Sequence, residues 1–308
     1  MHPSLVTFAL FTSTLPAGLA LPVGSAPAAF GITRLDEASP EGPGSIAVDA
    51  DGRFWVLDAV HARIAVIGKD GVLEANVPLP SDTIEDLALL PSGDVAVLDR
   101  LVARRVFVLA PSGALVAEAP VEGPGVEDGG LVTAIFADGT GVWLEVHRGT
   151  QVRVLDGTLA RDARRSTRPG LPLGDALVRL RKVGDAAQVL VLDERGALRA
   201  DAVVHFSSLL ELAGLVVEGT SDHAVLWVAG HELVQQPGAP AERDRIVIAR
   251  LERGPDGRVR EVARHEVRAA PEFVPLKQLV LAGAGHVAHL YVDTRAQRAG
   301  AAVEVTSW

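Results

Sequence analysis

Short apolar runs, separated by turn dipeptides, follow one another along the chain from about residue 44 onward. The runs are rich in β-branched and aliphatic residues and are too short for ordinary helices, which favours β-strands. The first of these dipeptides are Asp51-Gly52, Asp70-Gly71, Ser92-Gly93 and Ser112-Gly113. Glycine readily adopts the positive φ that tight hairpin turns require. The pattern therefore predicts an all-β protein.

The first two groups of runs are copies of one another with an offset of 41 residues. The matching pairs are Gly52 with Gly93, Asp58 with Asp99, and Arg63 with Arg104. A period of about 40 residues made only of short strands is typical of the blades of a β-propeller. We therefore expect a propeller with a single domain over residues 1–308.

Weaker copies of the same unit continue to the C-terminal end. One marker position in each copy is Trp55, Ala96, Trp143, Leu190, Trp227 and Tyr291. These markers predict six blades, with seven as the alternative. The longest interval follows Trp227 and holds two strand-like runs, Arg245–Glu252 and Arg258–Val267. We interpret them as an extended outer hairpin of one blade.

The first two units resemble NHL repeats, in which Asp-Gly precedes an apolar strand that ends in Asp, with Arg five residues further on. The matching positions are Asp51-Gly52, Asp58 and Arg63, then Ser92-Gly93, Asp99 and Arg104; Asp293 and Arg298 repeat the five-residue spacing. The resemblance is clear over residues 44–121 and weak elsewhere. It implies a β-propeller but no particular activity, because such propellers include binding scaffolds as well as lyases.

The recurrent Asp and Arg positions are predicted to be structural. A carboxylate at a strand end can accept N–H groups of the following turn, and an Arg five residues later can donate to it. Repetition in several blades favours this reading, because a catalytic residue is needed only once. Trp55, Trp143 and Trp227 occupy equivalent strands, where we expect them to fill the core between blades.

Residues 1–28 allow two interpretations. Leu5–Phe11 is a short apolar stretch followed by small residues, which is typical of a secretory signal, but no Lys or Arg precedes it. Alternatively, this region closes the ring, because the last unit, from about Phe273, provides only three strand-like runs. Leu5–Thr12 or Leu19–Val23 would then supply the fourth strand. The first reading predicts a periplasmic or secreted protein, and the second a cytoplasmic one.

Composition removes several classes of function. The chain of 308 residues has 29 Lys and Arg against 39 Asp and Glu, a net charge of −10. An acidic protein is poorly suited to nucleic-acid binding. The absence of cysteine excludes disulfides and thiolate chemistry. No uninterrupted apolar run is long enough to predict a membrane span. The partner, a protein or a small molecule, is not identified by the sequence.

Catalytic and metal-binding signals are sparse. No Gly-x-Ser-x-Gly motif is present, and the one asparagine, Asn76, offers little to a calcium site that needs neutral amide oxygens. The best candidate metal pair is His61 and His147, which follow equivalent strands; solvent-facing loop positions are the simpler interpretation. We therefore predict no metal, no cofactor and no catalytic residue.

A basic stretch stands out against the acidic background and is a candidate surface for an anionic partner, or a solvated loop. Its members are Arg161, Arg164, Arg165, Arg168, Arg179, Arg181 and Lys182. The predicted function is a binding or interaction scaffold. The alternative is a metal-dependent hydrolase or lyase with its site at the mouth of the central channel.

Overall fold

A computed structural model describes residues 19–33, 40–220, 222–234, 242–269, 273–283, 285–294 and 303–307. Within these ranges the chain forms six four-stranded antiparallel sheets and two short 3-10 helices, Ala59–His61 and Gly129–Leu131. The described part contains no helix with the length and apolar character that crossing a membrane requires. The predicted all-β class and the β-propeller architecture are confirmed.

Strand β1 (Leu19–Leu21) is the first strand of the described residues and belongs to the last sheet. Sheet 1 contains β2 (Ser45–Val48), β3 (Phe54–Asp58), β4 (Arg63–Ile67) and β5 (Leu73–Pro78). Sheet 2 contains β6 (Asp86–Leu89), β7 (Val95–Asp99), β8 (Arg105–Leu109) and β9 (Leu115–Pro120). Sheet 3 contains β10 (Val132–Asp138), β11 (Gly141–Val146), β12 (Thr150–Asp156) and β13 (Thr167–Arg168).

The remaining sheets follow the same up-and-down order. Sheet 4 contains β14 (Leu171–Leu173), β15 (Ala176–Val183), β16 (Ala186–Leu192) and β17 (Leu198–His205). Sheet 5 contains β18 (Leu209–Gly219), β19 (Ala224–Val234), β20 (Glu242–Arg253) and β21 (Val259–Arg268). Sheet 6 contains β22 (Leu279–Leu281), β23 (Val287–Val292), β24 (Val303–Ser307) and, at its outer edge, β1.

The second strand of each sheet is packed on both faces, which explains its apolar sequence. Every residue of β3 and of β7 is buried, including the terminal Asp58 and Asp99. Apolar clusters lie between neighbouring sheets, and Trp55, Trp143 and Trp227 are buried as expected. Gly52 and Gly93 turn the first hairpins at φ of +78° and +89°, a region that disfavours larger residues. The repeat therefore encodes both the core and the turns.

The first strands of all six sheets line one central channel. First strands contact each other in the pairs β2–β6, β6–β10, β14–β18, β18–β22 and β22–β2. We call the end where these strands begin, at Ser45, Asp86 and Val132, the upper end of the channel. Because the second strands run antiparallel, their C-terminal ends lie at the same end. The turns that follow the second strands therefore surround the upper end.

The ring is closed by pairing between the two terminal regions. Strand β1 pairs antiparallel with β24, with Leu19 opposite Val305 and Leu21 opposite Val303. The fourth strand of sheet 6 thus comes from the Leu19–Val23 candidate; the other candidate, Leu5–Thr12, lies outside the described residues. The long interval after Trp227 holds β20 and β21, the outer hairpin of sheet 5.

Candidate functional site at the upper end of the channel

The central channel encloses a cavity of about 380 Å³. Its wall is built mainly from aliphatic residues of the six first strands, because those strands turn one edge or face toward the axis. The charged residues in the wall are Asp138, Glu145, Arg148, Arg168, Arg179 and Lys277. Cavities of about 300–1,000 Å³ with apolar walls and a few polar groups are typical of small-molecule sites. The channel is therefore the candidate site.

Asp86 connects three sheets at the upper end. Its fully buried carboxylate accepts the Ser45 hydroxyl at 2.6 Å and the amide of its neighbour Leu87 at 2.8 Å. The Ile135 amide of sheet 3 donates to the second carboxylate oxygen at 2.8 Å. A buried carboxylate requires such partners, because desolvation penalises an unpaired charge.

Lys277 supplies the opposite charge. Its ammonium lies 3.1 Å from Asp86 Oδ1 and donates to the carbonyl oxygens of Leu87 at 2.7 Å and Ile135 at 2.6 Å. The backbone before β22 is held against sheet 1 by a hydrogen bond from the Leu276 amide to the Gly44 carbonyl oxygen, at 2.8 Å. Lys277 thus extends from sheet 6 across sheet 1 to sheets 2 and 3.

Glu145 lies at the C-terminal end of β11, next to this ion pair. Burial raises the pKa of its carboxyl, and the hydroxyl of Thr133, which donates at 2.7 Å, opposes that rise together with the charges of Arg148 and Lys277. A carboxyl group with a raised pKa can exchange a proton with a neighbouring molecule. Glu145 is therefore a candidate for acid–base chemistry in the channel.

A two-residue turn after β11 presents Arg148 at the upper end. His147 and Arg148 adopt φ of 53° and 52°, and the Gly149 amide donates to the Val146 carbonyl oxygen at 3.2 Å. Two successive residues at positive φ are characteristic of a type I′ hairpin. The Arg148 amide also donates to the Thr133 hydroxyl at 3.2 Å, which fixes the turn against the first strand.

The Asp138–Arg168 pair lies at the other end of β10. Arg168 donates to Asp138 at 2.7 Å and to Gln151 at 2.5 Å, and its guanidinium group lies 3.9 Å from the centre of the Trp143 ring. Burial opposes ionisation of Asp138, but hydrogen bonds from Thr140 and Arg168 outweigh it and lower the pKa of the carboxyl. Asp138 and Arg168 thus neutralise each other within the fold.

The sequence-predicted Asp58 and Arg63 lie in contact at the end of β3. Arg63 Nε donates to Asp58 Oδ2 at 3.0 Å, and the other carboxylate oxygen accepts the Gly31 amide at 3.1 Å. The Arg63 guanidinium group also donates to the carbonyl oxygens of Pro27 and Ala29. The pair therefore anchors the segment that follows β1 against sheet 1.

The equivalent residues of sheet 2 do not form the same pair. Asp99 accepts the amides of Val102 and Ala103, both at 2.9 Å, and the hydroxyl of Thr83. Arg104 adopts a positive φ of 55° and points to Glu122, at 3.1 Å. The shared sequence spacing thus predicts equivalent positions for Asp58 and Asp99, but not for Arg63 and Arg104. Asp293 lies 3.6 Å from Arg268, while Arg298 is outside the described residues.

The two candidate metal ligands belong to separate environments. His61 Nδ1 lies 2.8 Å from Asp58 Oδ2, in the 3-10 helix after β3, whereas His147 is an exposed turn residue after β11. Over the described ranges, no three His, Cys, Asp or Glu side chains form a group that could hold a metal ion.

The basic stretch does not form one surface. Arg165 is buried and donates to the carbonyl oxygens of residues 120–122, and Arg161 pairs with Glu118. Arg181 donates to Gln188, and Lys182 to the Leu210 carbonyl oxygen. The stretch is therefore dispersed over several sheets. Arg179 lines the channel cavity and has no such partner among the residues that the structure describes.

Asp86 and Lys277 were not anticipated from the sequence. One signal was available: Asp86 stands 41 residues after Ser45, the same offset that relates Asp58 to Asp99. A charged residue at the start of a first strand, in place of a serine, marks a site inside the ring. Nothing local to Lys277 indicates its contact, because its partners come from distant sheets.

Taken together, the six sheets and the lined channel define the class of the molecule as a β-propeller. The chain is similar to hydrazine synthase of Kuenenia stuttgartiensis, with a TM-score of 0.50, 13% identity, and coverage of 84% of this chain and 78% of that one. It is also similar to a streptogramin B lyase, with a TM-score of 0.43, 12% identity, and coverage of 89% and 95%. At 13% identity, the similarity to hydrazine synthase shows the fold alone. No family model and no curated protein sequence matches the chain.

Proposed function

We propose that this propeller is a binding protein that takes a small molecule at the upper end of its central channel. The observation that carries the proposal is the cavity of about 380 Å³, which has aliphatic walls and a few charged groups. Its size and lining match those of small-molecule sites in general. The loops around a propeller axis are also well placed to carry recognition, because they are exposed on a rigid scaffold.

The architecture in this proposal has one domain, with each of the six four-stranded sheets acting as one NHL-like blade. The copies over residues 44–121, and the Asp58–Arg63 contact, support the NHL assignment. The packing of Leu21 and Phe30 into the core supports a domain that includes the segment from β1 onward. Nucleic acid is not the proposed partner, since the net charge is −10 and the basic stretch is dispersed.

Ligand-observed NMR with a library of small organic molecules tests the proposal. The wild-type protein is compared with Gly214→Leu, which adds a side chain to the channel wall. A Cβ at Gly214 makes ordinary contacts with Leu279, so the backbone tolerates it. Gly139→Leu is the control, because a Cβ there meets no atom within 4 Å and the position is outside the cavity.

We expect compounds that bind the wild type and Gly139→Leu to lose their signal with Gly214→Leu. Compounds that bind all three proteins equally would place the site elsewhere and contradict the proposal. A library that yields no channel-dependent compound would also contradict it.

A metal-dependent hydrolase or lyase is the second candidate, and Glu145 is the observation that favours it. Burial raises the pKa of this carboxyl group inside the channel, as acid–base catalysis often requires. The position of Lys277 counts against a metal there, because its ammonium already neutralises Asp86. Metal analysis of the purified protein separates the two functions: a stoichiometric, chelator-sensitive ion would favour the enzyme.

A further inference from the structure

We infer that Arg148 and Arg179 form an anion-binding site at the upper end of the channel. The ligand is an organic anion whose carboxylate or phosphate group lies against the two guanidinium groups while its apolar part enters the channel. This inference rests on the proposed function and specifies its class of ligand.

The two arginines come from neighbouring sheets and meet at one turn. Arg148 belongs to the turn between β11 and β12, and Arg179 lies on β15; both line the cavity. Gly149 brings them together, because a Cβ at that position would lie 2.7 Å from Arg179 Nε and 2.9 Å from Nη2. The guanidinium group of Arg179 therefore packs directly on the backbone next to Arg148.

Neither guanidinium group has a partner within the part of the chain that the structure describes. Both side chains are exposed, and neither donates a hydrogen bond nor forms an ion pair there. The neighbouring Arg168, Arg181 and Lys182, in contrast, all have acceptors. Guanidinium donors that line one cavity without a protein acceptor suit a carboxylate or phosphate ligand.

The charges of the cavity wall leave an excess of positive charge at this end. Asp138 is paired with Arg168, and Lys277 with Asp86. Glu145 accepts the Thr133 hydroxyl, and the charge of Arg148 lowers the pKa of its carboxyl. One carboxyl group of the wall therefore remains to balance the two arginines. An anion that binds beside the two arginines would therefore balance the excess positive charge at this end of the channel.

The cavity below the arginines explains why the anion should carry an apolar part. Ile46, Leu215 and Leu279 are among the aliphatic residues in its wall. Burying an apolar group there gains roughly 25 cal/mol for each Å² removed from water. A small inorganic anion would use only the two arginines, whereas an amphipathic anion would use both parts of the site.

Isothermal titration calorimetry with naphthoate and its neutral analogue naphthamide tests the inference. The two probes share one apolar body and differ in charge. They are titrated into the wild type, the double variant Arg148→Gln/Arg179→Gln, and Arg181→Gln. Arg181 is the matched control, because it is exposed on the same strand as Arg179, lies outside the cavity, and donates to Gln188 at 2.5 Å. The melting temperature of each variant confirms that it is folded.

We expect naphthoate to bind the wild type and Arg181→Gln with the same affinity. Its affinity for the double variant should be lower by a factor of roughly ten or more, because charge-assisted hydrogen bonds are lost. Naphthamide should bind weakly, with the same affinity for the wild type and the variants. Gly149→Ala, which displaces Arg179 but retains its charge, should also weaken naphthoate.

Equal binding of naphthoate and naphthamide to all variants would overturn the anion site. If that binding is lost in Gly214→Leu, the proposed channel function still stands. Failure of naphthoate to bind the wild type would also overturn the anion site, whereas the channel function is judged separately by the library and Gly214→Leu.

Discussion

The Lys277 ammonium lies 3.1 Å from the Asp86 carboxylate, and this contact joins sheet 6 to sheet 2 inside the ring. Asp86 is fully buried, and the Lys277 side chain is only 12% exposed. The charges therefore compensate each other in a place where water screens them weakly. Because the partners are far apart in the chain, their contact depends on closure of the propeller.

Lys277→Met should destabilise the protein strongly, because it leaves the Asp86 carboxylate buried without its counter-charge. Removing one partner of a buried pair costs about 3–5 kcal/mol. The double variant Asp86→Asn/Lys277→Met should recover part of that loss, since it removes both charges. Denaturant unfolding measures the free energy of unfolding. Lys69→Met, at an exposed lysine, should change it by less than about 0.5 kcal/mol. A similar small loss in Lys277→Met would contradict the assigned contact.

Asp58→Ala should destabilise by about 1–3 kcal/mol, since the Arg63 guanidinium and the Gly31 amide lose their acceptor. The double variant with Arg63→Ala should be less than additive, because the two residues share one interaction. Asp99→Ala and Arg104→Ala form a matched control with the same sequence spacing, and they should be additive because Arg104 points to Glu122. Additivity in both cycles would refute the Asp58–Arg63 pair.

The Asp58–Arg63 and Asp99–Arg104 pairs differ in how far the sequence predicts their contacts. The repeat predicts the strands, the turn glycines and the position of Asp58 and Asp99, because each depends on neighbours within one unit. The same spacing does not place Arg104, because its backbone adopts φ of 55° and the side chain finds Glu122. Asp86, Lys277 and the Arg148–Arg179 pair depend on contacts between different sheets, which no local pattern encodes.

Glu145→Gln should stabilise the protein at neutral pH and have less effect in acid. Burial raises the pKa of Glu145 above the value of 4.5 for the unfolded chain. The stability that this group contributes is then fully present below 4.5 and is lost as the pH rises through the pKa of the folded state. Glutamine stays neutral at every pH, and its amide oxygen can still accept a hydrogen bond from the Thr133 hydroxyl.

The difference in melting temperature between Glu145→Gln and the wild type should therefore grow from about pH 4 to about pH 8. Glu118→Gln provides a comparison at a carboxylate that is paired with Arg105 on the surface. A difference for Glu145→Gln that is independent of pH would show that Glu145 is ionised as readily in the folded state as in the unfolded one.

Dialysis against a strong chelator should leave the melting temperature unchanged. The expectation rests on the lack of cysteine and on the separate environments of His61 and His147. Differential scanning fluorimetry before and after dialysis, with zinc or calcium added back, provides the measurement. A fall of many degrees that either ion restores would contradict the expectation and favour the enzyme.

Removing residues 1–30 should destabilise the propeller, because the last sheet then loses its edge strand. Strand β1 pairs with β24 through Leu19, Ala20 and Leu21, and Leu21 and Phe30 are almost completely buried. Burial of each such side chain contributes about 1.5–3 kcal/mol. The truncation also takes away Pro27 and Ala29, whose carbonyl oxygens accept from Arg63.

A chain that begins at Gly31 should therefore melt well below the full chain or aggregate through the exposed edge of β24. A chain that begins at Gly18 retains β1, Phe30 and the acceptors of Arg63, and it is the reference for the Gly31 chain. The two truncations thus separate the ring-closing segment from the residues that precede it. If the Gly31 chain melted like the Gly18 chain, pairing of β1 with β24 would contribute nothing to closure of the ring. That result would favour the interpretation of residues 1–28 as a signal segment.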